Sequence, residues 1–94
     1  MVQPTHVEGR QTVPILIYAL STCGWCRKTK ALLNELGIAY DYVDVDSLSP
    51  AERDAVMEEA IKWNPAGSFP TIVIGGEECI IGFQQDKIKQ AVEK

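Results

Sequence analysis

Two cysteines three positions apart, Cys23-Gly24-Trp25-Cys26, stand directly behind the apolar run Val13-Pro14-Ile15-Leu16-Ile17-Tyr18-Ala19-Leu20. After them Trp25, Cys26, Thr29, Leu32, Leu33 and Leu36 recur at intervals of three and four, the period of a helix with one apolar face. The pair therefore sits where a buried strand turns into a helix. A helix N-terminus offers unpaired N–H groups and the positive end of the macrodipole. Cys23, at that end, is favoured as a thiolate nucleophile. Cys26, one turn on, faces the same way and is placed to resolve a mixed disulfide formed at Cys23. Arg27, Lys28 and Lys30 add positive charge nearby.

A zinc site is the competing use of such a pair. Zinc takes four ligands, usually as two local pairs. Only Cys79 and His6 remain to complete a set here, so the spacing points to redox chemistry and to no metal.

The remaining pattern is that of one domain. Residues 1–12 are polar and read as a flexible N-terminal arm, with a short strand from Thr5 to Val7 as the alternative; 13–94 form the folded unit. Val13 to Leu20 is the first strand, suited to the middle of a sheet. Ser21 or Thr22 is placed to cap the first helix, and Gly37 ends it. Tyr40 to Asp46 alternates as a second strand, with Val43 and Val45 on one face. Ser49-Pro50-Ala51-Glu52 is a capping box with proline at N1, opening a helix of about 14 residues that Asn64-Pro65-Ala66-Gly67 stops. Trp63 at its end is a packing residue. Thr71 to Ile74 and Cys79 to Ile81 form a hairpin about Gly75-Gly76, with Cys79 inward as a small hydrophobe. Gln84 to Glu93 is the last helix, with Ile88, Ala91 and Val92 inward. The order is β-α-β-α-β-β-α.

Composition narrows the partners. A net charge of −4 argues against nucleic acid. No apolar run approaches the roughly 18–20 residues of a membrane span, and the N-terminus lacks a signal-peptide pattern. Three cysteines are too few for a disulfide scaffold, so a reducing cytoplasm is the expected location.

The chain resembles a glutaredoxin, of the thioredoxin superfamily, over about residues 13–93. Cys23-Gly24-Trp25-Cys26 carries the resemblance, together with Phe69-Pro70-Thr71, whose proline stands 44 residues after Cys26 at the family's cis-proline position. The resemblance implies an α/β thioredoxin fold: a four-stranded mixed sheet, order 2-1-3-4, flanked by three helices. It implies a monomeric dithiol–disulfide oxidoreductase with Cys23 as nucleophile and Cys26 as resolving thiol, acting on protein or small-molecule disulfides. No cofactor is tightly bound; the donor is a low-molecular-weight thiol. Phe69 inherits the role of pairing its backbone with substrate main chain. Trp25, Arg27, Lys28, Pro70, Gly82 and Phe83 complete the implied thiol- and substrate-binding set.

Several positions depart from the family pattern. Pro-Tyr between the cysteines is Gly24-Trp25 here, and the basic residue three before the first cysteine is Leu20. The family's Gly-Gly-x-x-Asp is replaced by Ile81-Gly82-Phe83-Gln84-Gln85-Asp86. That last stretch resembles Gly-Phe-Arg-Pro-Asp of the redoxins that serve ribonucleotide reductase and draw electrons from a flavin enzyme, thioredoxin reductase. The donors in play are thus glutathione, another small anionic thiol such as coenzyme M, or that reductase. An iron–sulfur or zinc binding module is the alternative from a different class.

Overall fold

The computed structural model describes residues 3–93; Met1, Val2 and Lys94, at the outer ends of the arm and the domain, lie outside it. Among the described residues the strands are β1 (Thr5–Val7), β2 (Ile15–Ala19), β3 (Tyr40–Asp44), β4 (Thr71–Ile74) and β5 (Glu78–Ile81), and the helices are α1 (Gly24–Leu36), α2 (Pro50–Trp63) and α3 (Gln85–Val92). The sheet order is β1-β3-β2-β4-β5. β2 and β3 are parallel, joined by the α1 crossover; the other pairs are antiparallel.

The order β3-β2-β4-β5 is the expected 2-1-3-4, but the sheet has five strands rather than four. The fifth comes from the arm: Thr5, His6 and Val7 pair with Tyr42, Asp41 and Tyr40. A second tie follows at Arg10, whose N–H donates to the Gly37 carbonyl (2.7 Å) and whose carbonyl accepts from Ala39 (3.0 Å). Gly9 is needed for this approach, since a Cβ there would lie 2.7 Å from the backbone of Ile38 and Ala39.

Two cores sandwich the sheet. On one face Ile15, Ile17, Ile72, Ile74 and Ile80 meet Cys26, Leu32 and Leu33 of α1 and Ile88, Ala91 and Val92 of α3. On the other, Tyr18, Val43 and Val73 meet Val56 and Ala60 of α2, with Trp63 packed against them. The alternation of a strand does this sorting, since neighbouring side chains point to opposite faces.

Several details differ from the sequence reading. β2 starts after Pro14, which has no N–H for a ladder, and ends before Leu20, whose carbonyl accepts the Cys23 N–H (3.1 Å). β3 stops at Asp44; Val45–Ser47 is a 3-10 turn rather than strand. Cys79 is only half-buried, because Ile80 takes the inward position on β5. The capping box at Ser49 and Glu52 is formed as read, and Gly37 closes α1 at φ 70°.

Candidate active site

Cys23 is itself the N-cap of α1. Its φ and ψ are extended (−82°, 119°), and its Sγ accepts the amide N–H of Cys26 at 3.2 Å. The sulfur thus occupies the place a serine or threonine oxygen would take, and an N–H aimed at it stabilises negative charge there. Ser21 and Thr22 do not cap the helix. Ser21 is held instead by Asp46, which accepts from its N–H (2.9 Å) and from its Oγ (2.6 Å). These bonds keep the Asp46 carboxyl below the usual carboxylate range. They also draw together the turn after β3 and the turn that carries Cys23.

Cys26 behaves differently. It is wholly buried in the main core. Burial first, and the bond to Cys23 next, push its thiol up to about 12. One cysteine is therefore half-exposed with a donor aimed at its sulfur, while the other is a buried protonated thiol one turn behind. Both are free. Cys79 is half-buried, and burial raises its thiol as well.

The other candidates gather by direct contacts. Phe69–Pro70 is a cis peptide bond, and β4 begins just after it, with Thr71 paired to Tyr18 near the end of β2. The Pro70 carbonyl accepts the N–H of Gly82 (2.9 Å), a residue at φ 80° that a side chain would strain. The next residue, Phe83, stacks on Trp25 with centroids 6.0 Å apart and planes 24° apart. Trp25 is 56% exposed, so it is a platform and not part of the helix's buried stripe. Lys28 lies 4.5 Å over its ring. Arg27 is exposed on α1. Lys30 does not join this group: it pairs with Asp44 at 3.1 Å and covers the Tyr42 ring at 3.8 Å.

Two residues that sequence reasoning passed over hold the site in place. In the sequence Asp46 stands only as the last residue of an alternating strand. Asn64 stands only as a helix stop, yet it is 2% exposed. Its Nδ2 faces the Ser68 carbonyl (3.1 Å), Ser68 Oγ (3.0 Å) and Thr71 Oγ1 (3.1 Å), and its Oδ1 accepts from Ala66 (3.2 Å). Asn64 thus fixes the loop leading into Phe69–Pro70. The signal in the sequence is slight: a polar residue followed at short range by Ser68 and Thr71.

Among the described residues no group of three His, Cys, Asp or Glu side chains is placed to hold a metal ion, and no helix is long and apolar enough to cross a membrane.

A family model for glutaredoxins matches residues 15–79, from β2 to the start of β5. The chain is similar in structure to the methanoredoxin of Methanosarcina acetivorans, with 40% identity, a TM-score of 0.87, and 92% of this chain and 90% of that one covered. It is similar also to the glutaredoxin of Methanosarcina mazei Go1, with 41% identity, a TM-score of 0.88, and 99% and 90% covered. A glutaredoxin-like 8.6 kDa protein in the rubredoxin operon of Clostridium pasteurianum is 35% identical over 80 residues, which is 85% of this chain and 99% of that protein.

Proposed function

The chain belongs to the glutaredoxin family, and from that premise we propose that it reduces protein or small-molecule disulfides, drawing electrons from a low-molecular-weight thiol. The observation that carries this reading is the sulfur of Cys23 standing as N-cap, with the Cys26 N–H aimed at it and the Cys26 thiol buried one turn behind.

The steps balance. The Cys23 thiolate attacks one sulfur of a substrate disulfide; an S–S bond forms to Cys23, the substrate bond breaks, and the second substrate sulfur leaves as a thiolate that takes a proton from water. Cys26 then loses its proton and attacks the Cys23 sulfur. The Cys23–Cys26 disulfide forms, and the substrate sulfur that was bonded to Cys23 departs and takes up a proton as the second thiol. Two donor thiols, oxidised to their disulfide, return both cysteines to the reduced state. Bonding Cys23 to substrate removes its charge and its acceptor role, two of the causes that hold the Cys26 thiol high. Cys26 therefore becomes easier to ionise at the stage where it must attack.

The donor reading rests on what surrounds Cys23. Leu20 removes a charged contact for the glycyl carboxylate of glutathione, and such a bond typically contributes about 1.5–3 kcal/mol. With the altered 81–86 segment, glutathione-dependent turnover falls by about ten- to several-hundred-fold, each 1.4 kcal/mol being roughly a factor of ten. A smaller anionic thiol, coenzyme M among them, needs only a local cation and an apolar surface. Lys28 over Trp25, Arg27 on the same helix and the Trp25–Phe83 stack supply them. The start of α3 adds main-chain N–H groups that Gln84 does not cap.

The test is side-by-side reduction of 2-hydroxyethyl disulfide with glutathione, coenzyme M, and thioredoxin reductase with its nicotinamide reductant, at matched concentrations. Coenzyme M or the reductase serving at least as well as glutathione, and Leu20→Lys selectively improving glutathione, are the expected results. Glutathione winning outright, with Leu20→Lys changing nothing, refutes the donor assignment.

A further inference from the structure

Away from the cysteines, the α2 face of the sheet holds an opening that the reaction above does not use. Leu16 and Tyr18 of β2, Val43 of β3, and Ala55, Val56 and Glu59 of α2 line a cleft of about 300 Å³, and Pro4, just before β1, closes one side. None of these residues takes part in the site at Cys23. The strand alternation that turns Ile15 and Ile17 toward α1 turns Leu16 and Tyr18 this way.

Tyr18 carries the main clue. It is only 7% exposed, yet its hydroxyl makes no hydrogen bond among the described residues. No fully buried side-chain oxygen or nitrogen among them lacks a partner. The Tyr18 hydroxyl is therefore not sealed in the core; it reaches the cleft that its ring lines. Burial first, and the charge of Glu59 next, raise the phenol above its ordinary value. It stays a neutral hydroxyl with lone pairs to offer.

Charge then selects the occupant. Glu59 stands at the mouth, its side chain 60% exposed; Lys62 meets one of its oxygens at 3.2 Å, in an exposed pair one turn along that holds it weakly. Seven of the thirteen carboxylates fall between Asp41 and Glu59, with Arg53 the one basic residue among them. The segment that builds the β3 and α2 walls thus draws cations and repels anions. An apolar molecule without a polar end fills the walls but leaves the Tyr18 oxygen unmet. An ammonium on an alkyl chain does both: the chain leaves water against the apolar walls, and the head donates to the Tyr18 and Glu59 oxygens. The volume stands at the low end of small-ligand pockets, enough for a chain of a few carbons.

We propose that this cleft is a binding site for a small alkylammonium, its chain against Leu16, Val43 and Val56 and its head between Tyr18 and Glu59. The site is separate from the disulfide chemistry and stands or falls without it.

The experiment titrates the whole isotope-labelled chain with n-pentylammonium, and with 1-pentanol and pentanoate as the neutral and anionic molecules of the same length, followed by NMR at about 0.15 M salt. The expected result is saturable shifts at Leu16, Tyr18, Val43 and Val56 and none from Cys23 to Lys28. Pentylammonium binds about tenfold or more tighter than pentanol, the scale of one charged hydrogen bond, and pentanoate does not bind. Glu59→Gln and Tyr18→Phe each bring the ammonium toward the affinity of the alcohol, while Glu59→Gln reduces 2-hydroxyethyl disulfide as wild type does. Glu59 is exposed, so its variant decides even where Tyr18→Phe fails to fold. Equal binding of ammonium and alcohol, or a preference that survives Glu59→Gln, overturns the assignment. Shifts spread over residues 41–59 without saturation also overturn it, since they report only attraction to the acidic segment. If a lysine-bearing peptide saturates the cleft and pentylammonium does not, the free amine is overturned as occupant in favour of a partner's side chain.

Discussion

Removing the Asn64 amide tests whether the loop before Phe69 is held as the structure shows. Nδ2 has two hydrogens and three acceptors within 3.1 Å, so it makes two full hydrogen bonds; Oδ1 makes a third. At about 1 kcal/mol net for each, Asn64→Ala costs about 3 kcal/mol. The loss is not larger because little is left orphaned. Thr71 Oγ1 still donates to the Ser68 carbonyl at 2.9 Å, and Ala66 is exposed to water. At roughly 4–8 °C per kcal/mol for a domain of this size, Tm falls by about 10–25 °C.

Asn64→Asp sharpens the test. It keeps the shape but turns an acceptor toward the Ser68 carbonyl. Burial and that contact raise its pKa in the folded state above the roughly 3.9 of an unfolded chain. Its stability is then fully present below about pH 3.9 and is lost as pH rises through the raised value, because the folded state holds the proton more tightly. Urea midpoints from pH 3 to 8 measure both variants. Iodoacetamide labelling of Cys23 should change little in either, while KM for peptide disulfides rises as the Phe69 segment loosens. If Asn64→Ala lies within 0.5 kcal/mol of wild type and Asn64→Asp shows no pH slope of its own, the loop is not held by this amide.

Brief iodoacetamide treatment at pH 6–7, followed by mass mapping, should label Cys23 well ahead of Cys26 and Cys79; Cys26 is buried, with its thiol pushed up to about 12, and equal labelling of all three refutes the N-cap argument. Cys26→Ser should hold a stable Cys23 mixed disulfide that wild type discharges, visible by intact mass, and absence of any adduct refutes the resolving role. His6 is raised above its ordinary 6.5, first by its hydrogen bond to Asp41 (2.6 Å) and then by the charges of Glu8 and Asp41. Docking of β1 is therefore strongest below about pH 6.5 and weakens as pH rises through the raised value. Amide exchange at Thr5–Val7 should quicken over that window in wild type, and His6→Gln should flatten the change.

What the sequence discloses about this molecule is what is local. Ser49 and Glu52 sit within one turn and form their capping box as read. Gly37 closes α1, and Cys23 and Cys26 sit at the helix start that the apolar periodicity marks. What it conceals is settled by distant partners. Ser21 has the chemistry of a helix cap, but its hydroxyl is claimed by Asp46, 25 residues on, and the cap passes to the sulfur of Cys23. The strand at Thr5–Val7 stands in the sequence only as the alternative to a flexible arm; pairing with Tyr40–Tyr42 decides it. Asn64 looks like a helix stop until Thr71 and Ser68 are folded against it.

These distant contacts also give the two faces beside Cys23 different surfaces. Cys23 stands where β2 ends, between two faces packed by different helices. On the α1 and α3 face the chain spends charge and aromatic surface, with Lys28 over Trp25 and Trp25 on Phe83. On the α2 face Ser21 binds Asp46 twice, and Leu20, Val45, Met57 and Phe69 line a cleft beside it. In a protein of net charge −4, an anionic thiol of the kind proposed as donor would be drawn by the local cations. An apolar peptide side chain gains nothing from those cations and gains most by leaving water against the four apolar walls. Leu20 is therefore more than a lost cation. On the α2 face, where it removes a charged contact proposed for glutathione, it makes the wall of the cleft apolar.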